Sequence, residues 1–248
     1  WGCVMAFRQY LSTADGLTRR GLLTAAWPAL ALPMAVAACD DLDPLAAGPS
    51  GRVIAVRSGD SVVLDGGHVV RLAGIEAPYG QAIYAAEASL ALADVAAGQT
   101  VQLFFGGARQ DSYGRLLAHL RLAKSGRWVQ RAMLEQGAAR VRTYADNRAL
   151  ARPMLDAEAR ARLARRGLWT LLAYRVRLPQ EAAADPFGFQ VVEGRVSAVE
   201  DRGYGPTIDM EHWLRADVSR SAQAQLAAGG MTPQALKGKL IRLRGEVR

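Results

Sequence analysis

Between residues 51 and 76 the sequence GRVIAVRSGDSVVLDGGHVVRLAGIE sets three β-rich runs around two short breaks, at Ser58-Gly59 and Gly66-Gly67. Runs of Val and Ile broken by glycine-bearing turns this short form antiparallel neighbours, because a tight turn leaves no chain for a crossover. The stretch QAIYAAEASLALADVAAG then spaces its apolar residues as a helix does and stops at Gly98. QTVQLFFGG and GRLLAHLRL follow as two more strands, and GRWVQRAMLEQG as a short helix closed by Gly137. AARVRTY is extended, and LARPMLDAEARARLARRGLW is a basic amphipathic helix with Pro153 tolerable in its first turn. The expectation is an α+β, mostly β unit over residues 51–170: a closed five-stranded barrel of the OB type with three helices.

A second, smaller unit is expected over 190–248, after a linker at 171–189. FQVVEGRVSAV, PTIDM, LRADVS and KLIRLRGEV read as strands, about four in all, so this OB-like barrel looks incomplete. GRVIAV at 51–56 and GRVSAV at 194–199 nearly coincide, which would fit the first strands of two related barrels.

The net charge is +8, and it is unevenly spread. Residues 51–170 hold 17 Arg and Lys against 10 Asp and Glu, a net +7, whereas 171–248 hold 11 against 9. A polyanion such as nucleic acid therefore belongs on the first unit. Both cysteines, Cys3 and Cys39, precede it, so the folded units have no thiol for a disulfide or a thiolate zinc site. Walker, dinucleotide-glycine, HExxH and GxSxG motifs are absent. His68, His119 and His212 stand in separate contexts and read as surface or core residues rather than ligands.

Residues 1–39 read as an export signal: Arg19-Arg20, an uncharged run from Gly21 to Ala38, then VAAC. TRRGLL resembles a twin-arginine signal and VAAC a lipoprotein box, with Cys39 the acylated residue. Asp40 after the cysteine resembles the signal that keeps bacterial lipoproteins at the inner membrane. Residues 40–50, rich in Pro and Gly, read as a linker. The expected location is the periplasmic side of the inner membrane, or the periplasm itself.

Four pieces, SGDSVVL, VRLAGIEAP, YAAEAS and DSYGRLLAHL, together with the later GAARV and GLW, resemble the staphylococcal nuclease (thermonuclease) family in order and spacing. The resemblance covers about residues 51–170. It implies an OB-type barrel and calcium-dependent cleavage of DNA or RNA. Carried over position by position, Asp60 and Glu76 become metal ligands, with the backbone carbonyl of Ala77. Arg71 and Arg115 become the phosphate arginines. The chemistry suits those types, since calcium seeks oxygen ligands and a guanidinium matches two phosphate oxygens. Tyr113 becomes an aromatic contact to the nucleotide. Tyr79 stands where the family has its general-base glutamate, and is expected to contact nucleic acid instead. A phenol is a weak base at neutral pH, and loss of a general base costs roughly 10²–10⁴-fold in rate. Glu87 matches a structural glutamate. The arginines of the last helix (Arg160, Arg162, Arg165, Arg166) read as a solvated face, Trp169 as a core cap, and Trp213 and Tyr204 as base-stacking candidates on the second unit.

The expected function is an exported, monomeric phosphodiesterase acting on nucleic acid, preferably single-stranded, with calcium assistance and a weakened catalytic step. The alternative is a non-catalytic nucleic-acid-binding or envelope scaffold module on the same fold.

Overall fold

The computed structural model describes residues 3–7, 12–13, 42–201, 203 and 205–247. Two short strands, β1 (Cys3–Phe7) and β2 (Ser12–Thr13), precede the first barrel. That barrel is built from β3 (Ala46–Ser58), β4 (Ser61–Leu64) and β5 (Val69–Leu72). A short strand β6 (Ile75–Glu76) and helix α1 (Ala85–Ala96) follow, then β7 (Thr100–Phe105) and β8 (Leu116–Leu122). The closed order is β3-β4-β5-β8-β7, with β5 and β8 parallel and the other pairs antiparallel. The expected five-stranded closed barrel is therefore what forms.

Helix α2 (Val129–Glu135), strand β9 (Arg140–Val141) and helix α3 (Ala151–Leu163) complete this unit. Pro153 lies in the first turn of α3, where its missing N–H costs nothing. Strand β9 pairs with β6, setting Glu76 opposite Arg140. The core runs from Val53, Val62 and Leu72 through Leu92 and Leu120 to Trp128 and Met154, all fully or nearly fully buried. Trp169 is buried beside Leu168 and Ala161, as a core cap would be.

Strand β3 begins within the stretch read as linker. Ala46 pairs with Phe105 and Ser50 with Gln102, and Leu42 is fully buried. The register shifts between Ala47 and Ser50, so Pro49 falls at an irregularity where a missing N–H is tolerated. A Cβ on Gly48 would lie 2.4 Å from the Phe105 ring, so the glycine answers to packing rather than to a chain break.

The second unit holds helix α4 (Pro179–Ala184), strands β10 (Gly188–Asp201), β11 (Pro206–Met210) and β12 (Leu214–Val218), helix α5 (Arg220–Ala228) and strand β13 (Leu240–Val247). The sheet order is β1-β12-β11-β10-β13-β2, and β1 also pairs with β13. Counting β10–β13 alone gives the expected four strands; β1, parallel to β12 and antiparallel to β13, closes them into a ring. GRVIAV and GRVSAV both lie on the first long strand of their barrel, β3 and β10. The span read as a linker, 171–189, contains α4 and a short 3₁₀ turn.

A buried ion pair ties the units together. Arg244 on β13 donates through both Nη atoms to Glu158 on α3, and Glu158 also accepts the backbone N–H of Val141 at 2.7 Å. Arg162, expected on a solvated face, instead packs over Trp169 and pairs with Glu158 at 3.2 Å. Burial and the neighbouring Arg242 pull its guanidinium down to about 10.

Candidate active site

The site is built around the turn between β3 and β4. A Cβ on Gly59 would come within 2.7 Å of the Cβ atoms of both Ala77 and Ala88, so only glycine lets this turn press against the start of α1. That approach aims the nearly buried Asp60 carboxylate at the chain after β6. Its Oδ2 accepts the Ala77 N–H at 2.8 Å and pairs with Arg71 Nη2 at 3.0 Å, while Oδ1 accepts from the Ser58 hydroxyl at 2.9 Å. Arg71, on β5, also donates to the Leu72 carbonyl at 2.8 Å. A plain Arg71–Glu76 pair at the strand end, which the sequence also suits, is not the one that forms.

Arg115 stands at the foot of β8, after a turn organised by one carboxylate. Asp111 Oδ1 accepts the backbone N–H groups of Tyr113 and Arg115, and Oδ2 accepts Arg115 Nε at 2.7 Å. Partial burial works against the Asp111 charge, but the bonds from Arg115 and the turn outweigh it and hold the carboxyl below its ordinary range. The Arg115 guanidinium lies 5.4 Å from the ring centre of Tyr113, whose side chain is 83% exposed. Tyr79 is likewise exposed, at 70%.

Glu76 departs from its expected role. Its Oε1 takes Arg142 Nη1 and its Oε2 takes Arg140 Nη2 at 3.3 Å. Arg142 reaches on to Glu246 of β13 at 2.5 Å. Phe189 of β10 packs against both guanidinium groups, at 4.8 Å from Arg140 and 5.0 Å from Arg142. Burial disfavours the charge of Arg142, yet Glu76, Tyr144 and Glu246 raise it above its ordinary value; in the more deeply buried Arg140, burial wins and the value falls.

Arg71, Arg115, Arg142, Asp111, Tyr113 and Asp146 are among the residues lining a cavity of about 340 Å³, whereas Asp60, Glu76, Ala77 and Tyr79 do not line it. The cavity thus unites Arg71, Arg115 and Tyr113 as the sequence predicts. It adds two residues that sequence reasoning missed, Arg142 and Asp146. The signal for Arg142 was available: in RVR, strand alternation puts Arg140 and Arg142 on one side. Its Nε is buried without a partner among the described residues, so the guanidinium keeps an unused donor. Asp146 follows β9 on a loop and had no motif to mark it. Its carboxylate is exposed, and the Arg148 charge feels it. His119 is a core residue, buried against Trp128. Trp213 is exposed; Cys39 and Tyr204 lie outside the described residues.

A calcium ion seeks roughly six to eight oxygens in a flexible shell. The donors here do not fit that demand. Both oxygens of Asp60 accept from Ser58, Ala77 and Arg71, and both oxygens of Glu76 are held by arginines. The Ala77 N–H donates to Asp60 at 2.8 Å, so that carboxylate is already engaged by the backbone beside it. Among the described residues no group of three or more Asp, Glu, His or Cys side chains converges on one point. Glu76, expected as a metal ligand, is here paired with two arginines that the β6–β9 pairing places within its reach.

Residues 69–171 match the family model described as staphylococcal nuclease homologue. That span holds Arg71, Glu76, Arg115, Arg142 and Asp146, with Asp60 just before it. No curated protein matches the chain.

Proposed function

We propose, from the match of residues 69–171 to the staphylococcal nuclease homologue model, a nuclease-like protein that grips the phosphodiester backbone of nucleic acid and hydrolyses it slowly. The observation that carries this reading is the cavity shared by Arg71, Arg115 and Asp146. Two guanidinium forks aimed at one phosphate hold its non-bridging oxygens and gain strength as charge builds there in the transition state. Arg142 adds a third cation whose charge Glu76 and Glu246 hold in place.

A hydrolytic step also needs somewhere for the proton of the attacking water to go. Tyr79 is a poor acceptor, and Asp111 is consumed by Arg115. Asp146 is the carboxylate of the cavity with no arginine bonded to it among the described residues. Water forms the new P–O bond and passes its proton to Asp146. The ester oxygen leaves and is protonated from solvent. Asp146 is exposed and, among the described residues, held by no bonding partner that would fix its aim, in line with slow turnover.

The test is single-stranded DNA incubated with the full chain, followed by gel for cleavage and by fluorescence anisotropy for binding. Asp146→Asn should cut cleavage by roughly 10²–10⁴-fold and spare binding. Arg115→Gln should lower both. Binding with no cleavage in either calcium or EDTA would favour the second reading, a binding module, which the pairing of every cavity arginine with an acid supports. Export is part of the same reading: loss of membrane association in Cys39→Ala would bear on a lipid tether, and unchanged fractionation would count against it. Among the described residues no helix is long and apolar enough to cross a membrane.

A further inference from the structure

On the other side of the Tyr113–Arg115 turn lies a second, more open cleft of about 680 Å³, lined by Arg57, Ser58, Ser61, His68, Tyr113 and Arg115. It shares Tyr113 and Arg115 with the first cavity, so the two are contiguous. Their charge differs in kind. The first cavity carries Asp111 and Asp146 among its walls, and its arginines are each bonded to an acid. No carboxylate lines the second.

Arg57 is the decisive residue. It sits at the exposed end of β3, and among the described residues no hydrogen bond or ion pair holds its guanidinium. An anion arriving there displaces no internal partner, whereas at Arg71 or Arg115 it must compete with Asp60 or Asp111. His68 is fixed opposite by the β4–β5 hairpin, where Gly67 takes φ 76° and the His68 carbonyl accepts the Leu64 N–H at 2.9 Å. The Ser58 and Ser61 hydroxyls add short polar groups to the wall. Above the shared edge, the exposed Tyr113 ring offers a base a stacking face.

We propose that this cleft is a second phosphate subsite, formed by Arg57 and His68 beside Arg115, which takes the neighbouring phosphate of a nucleic-acid strand whose first phosphate lies in the cavity. The ligand is then a strand spanning at least two phosphates rather than a mononucleotide. This deepens the nuclease-like reading and rests on it.

The experiment measures binding of a fluorescein-labelled single-stranded oligothymidylate across a salt series, for the full chain, Arg57→Gln, Arg57→Gln/His68→Gln and Arg115→Gln. Thermal melting confirms that each variant is folded. Each phosphate contact on a single strand contributes about 0.7 to the slope of log K against log salt. The proposal expects Arg57→Gln to weaken binding several-fold and flatten the slope by about 0.7. The double variant should weaken binding further. Wild-type affinity and slope in both Arg57 variants, with loss in Arg115→Gln, would overturn the second subsite and leave the proposed function standing. Wild-type binding in all three variants, Arg115→Gln included, would overturn the function reading itself.

Discussion

Glu76 and Tyr79 lie three positions apart and differ in what they offer the cleft. Glu76 keeps its charge but spends both oxygens on Arg140 and Arg142. Tyr79 keeps an exposed position but offers a phenol. EDTA in place of calcium should leave the cleavage rate unchanged in a single-stranded DNA assay. A collapse of the rate in EDTA, restored by calcium, would show that the arginines release Glu76 to the metal. Tyr79→Phe should likewise leave cleavage unchanged, because the hydroxyl has no chemical task. A third prediction concerns His119, buried with Nδ1 unpartnered among the described residues. Burial depresses its pKa from 6.5 to about 3. Between those values the unfolded chain binds the proton and the folded chain refuses it. The neutral imidazole's contribution is therefore complete above pH 6.5 and is lost as the pH falls toward 3. One pH unit in that window is about 1.4 kcal/mol. Urea denaturation should show about 2 kcal/mol lost between pH 6.5 and 5, and His119→Phe should flatten that slope.

Elements separate what the sequence could show from what it could not. The hairpins of β3, β4 and β5 were legible because Gly59 and Gly67 mark tight turns between Val-rich runs. The expectation for Arg71 and Arg115 as phosphate arginines came instead from the resemblance of VRLAGIEAP and DSYGRLLAHL to the staphylococcal nuclease family. The first five residues of β3 were hidden because Gly48 and Pro49 look like breakers, while their reason is the Phe105 ring and a register shift on the partner strand. Helix α5 was hidden too: SRSAQAQLAA is polar and Ala-rich, with only Ala222 and Leu226 buried, although Ser219 caps it by accepting the Ala222 N–H. Arg142 depended on which strand β9 would pair with, and that pairing joins residues far apart in the chain. Gly59 belongs to this scale as well. Gly59→Val should force the β3–β4 turn away from Ala77 and Ala88 and carry Asp60 out of reach of the Ala77 N–H. The expected readouts are a lowered Tm and weaker DNA binding, whereas a surface change such as Arg152→Ala should alter neither.

At the scale of the whole molecule, the two barrels communicate through charge. Arg244 satisfies a fully buried Glu158, which also anchors the Val141 N–H of β9. Arg244→Ala leaves that carboxylate uncompensated and should cost about 3–5 kcal/mol, read as a fall in the denaturation midpoint. Arg244→Met with Glu158→Leu should recover only part of it, because Arg162 and the Val141 N–H then lose their partner. The ring of the second barrel has its own dependency. Its closing strand, β1, comes from residues 3–7, on the far side of Cys39 from everything else it pairs with. Any cut ahead of Cys39 would detach that strand and turn β12 and β13 into a pair of bare edges with a strand-wide gap between them. Such a cut would act on architecture, converting a closed ring into a receptor for another strand.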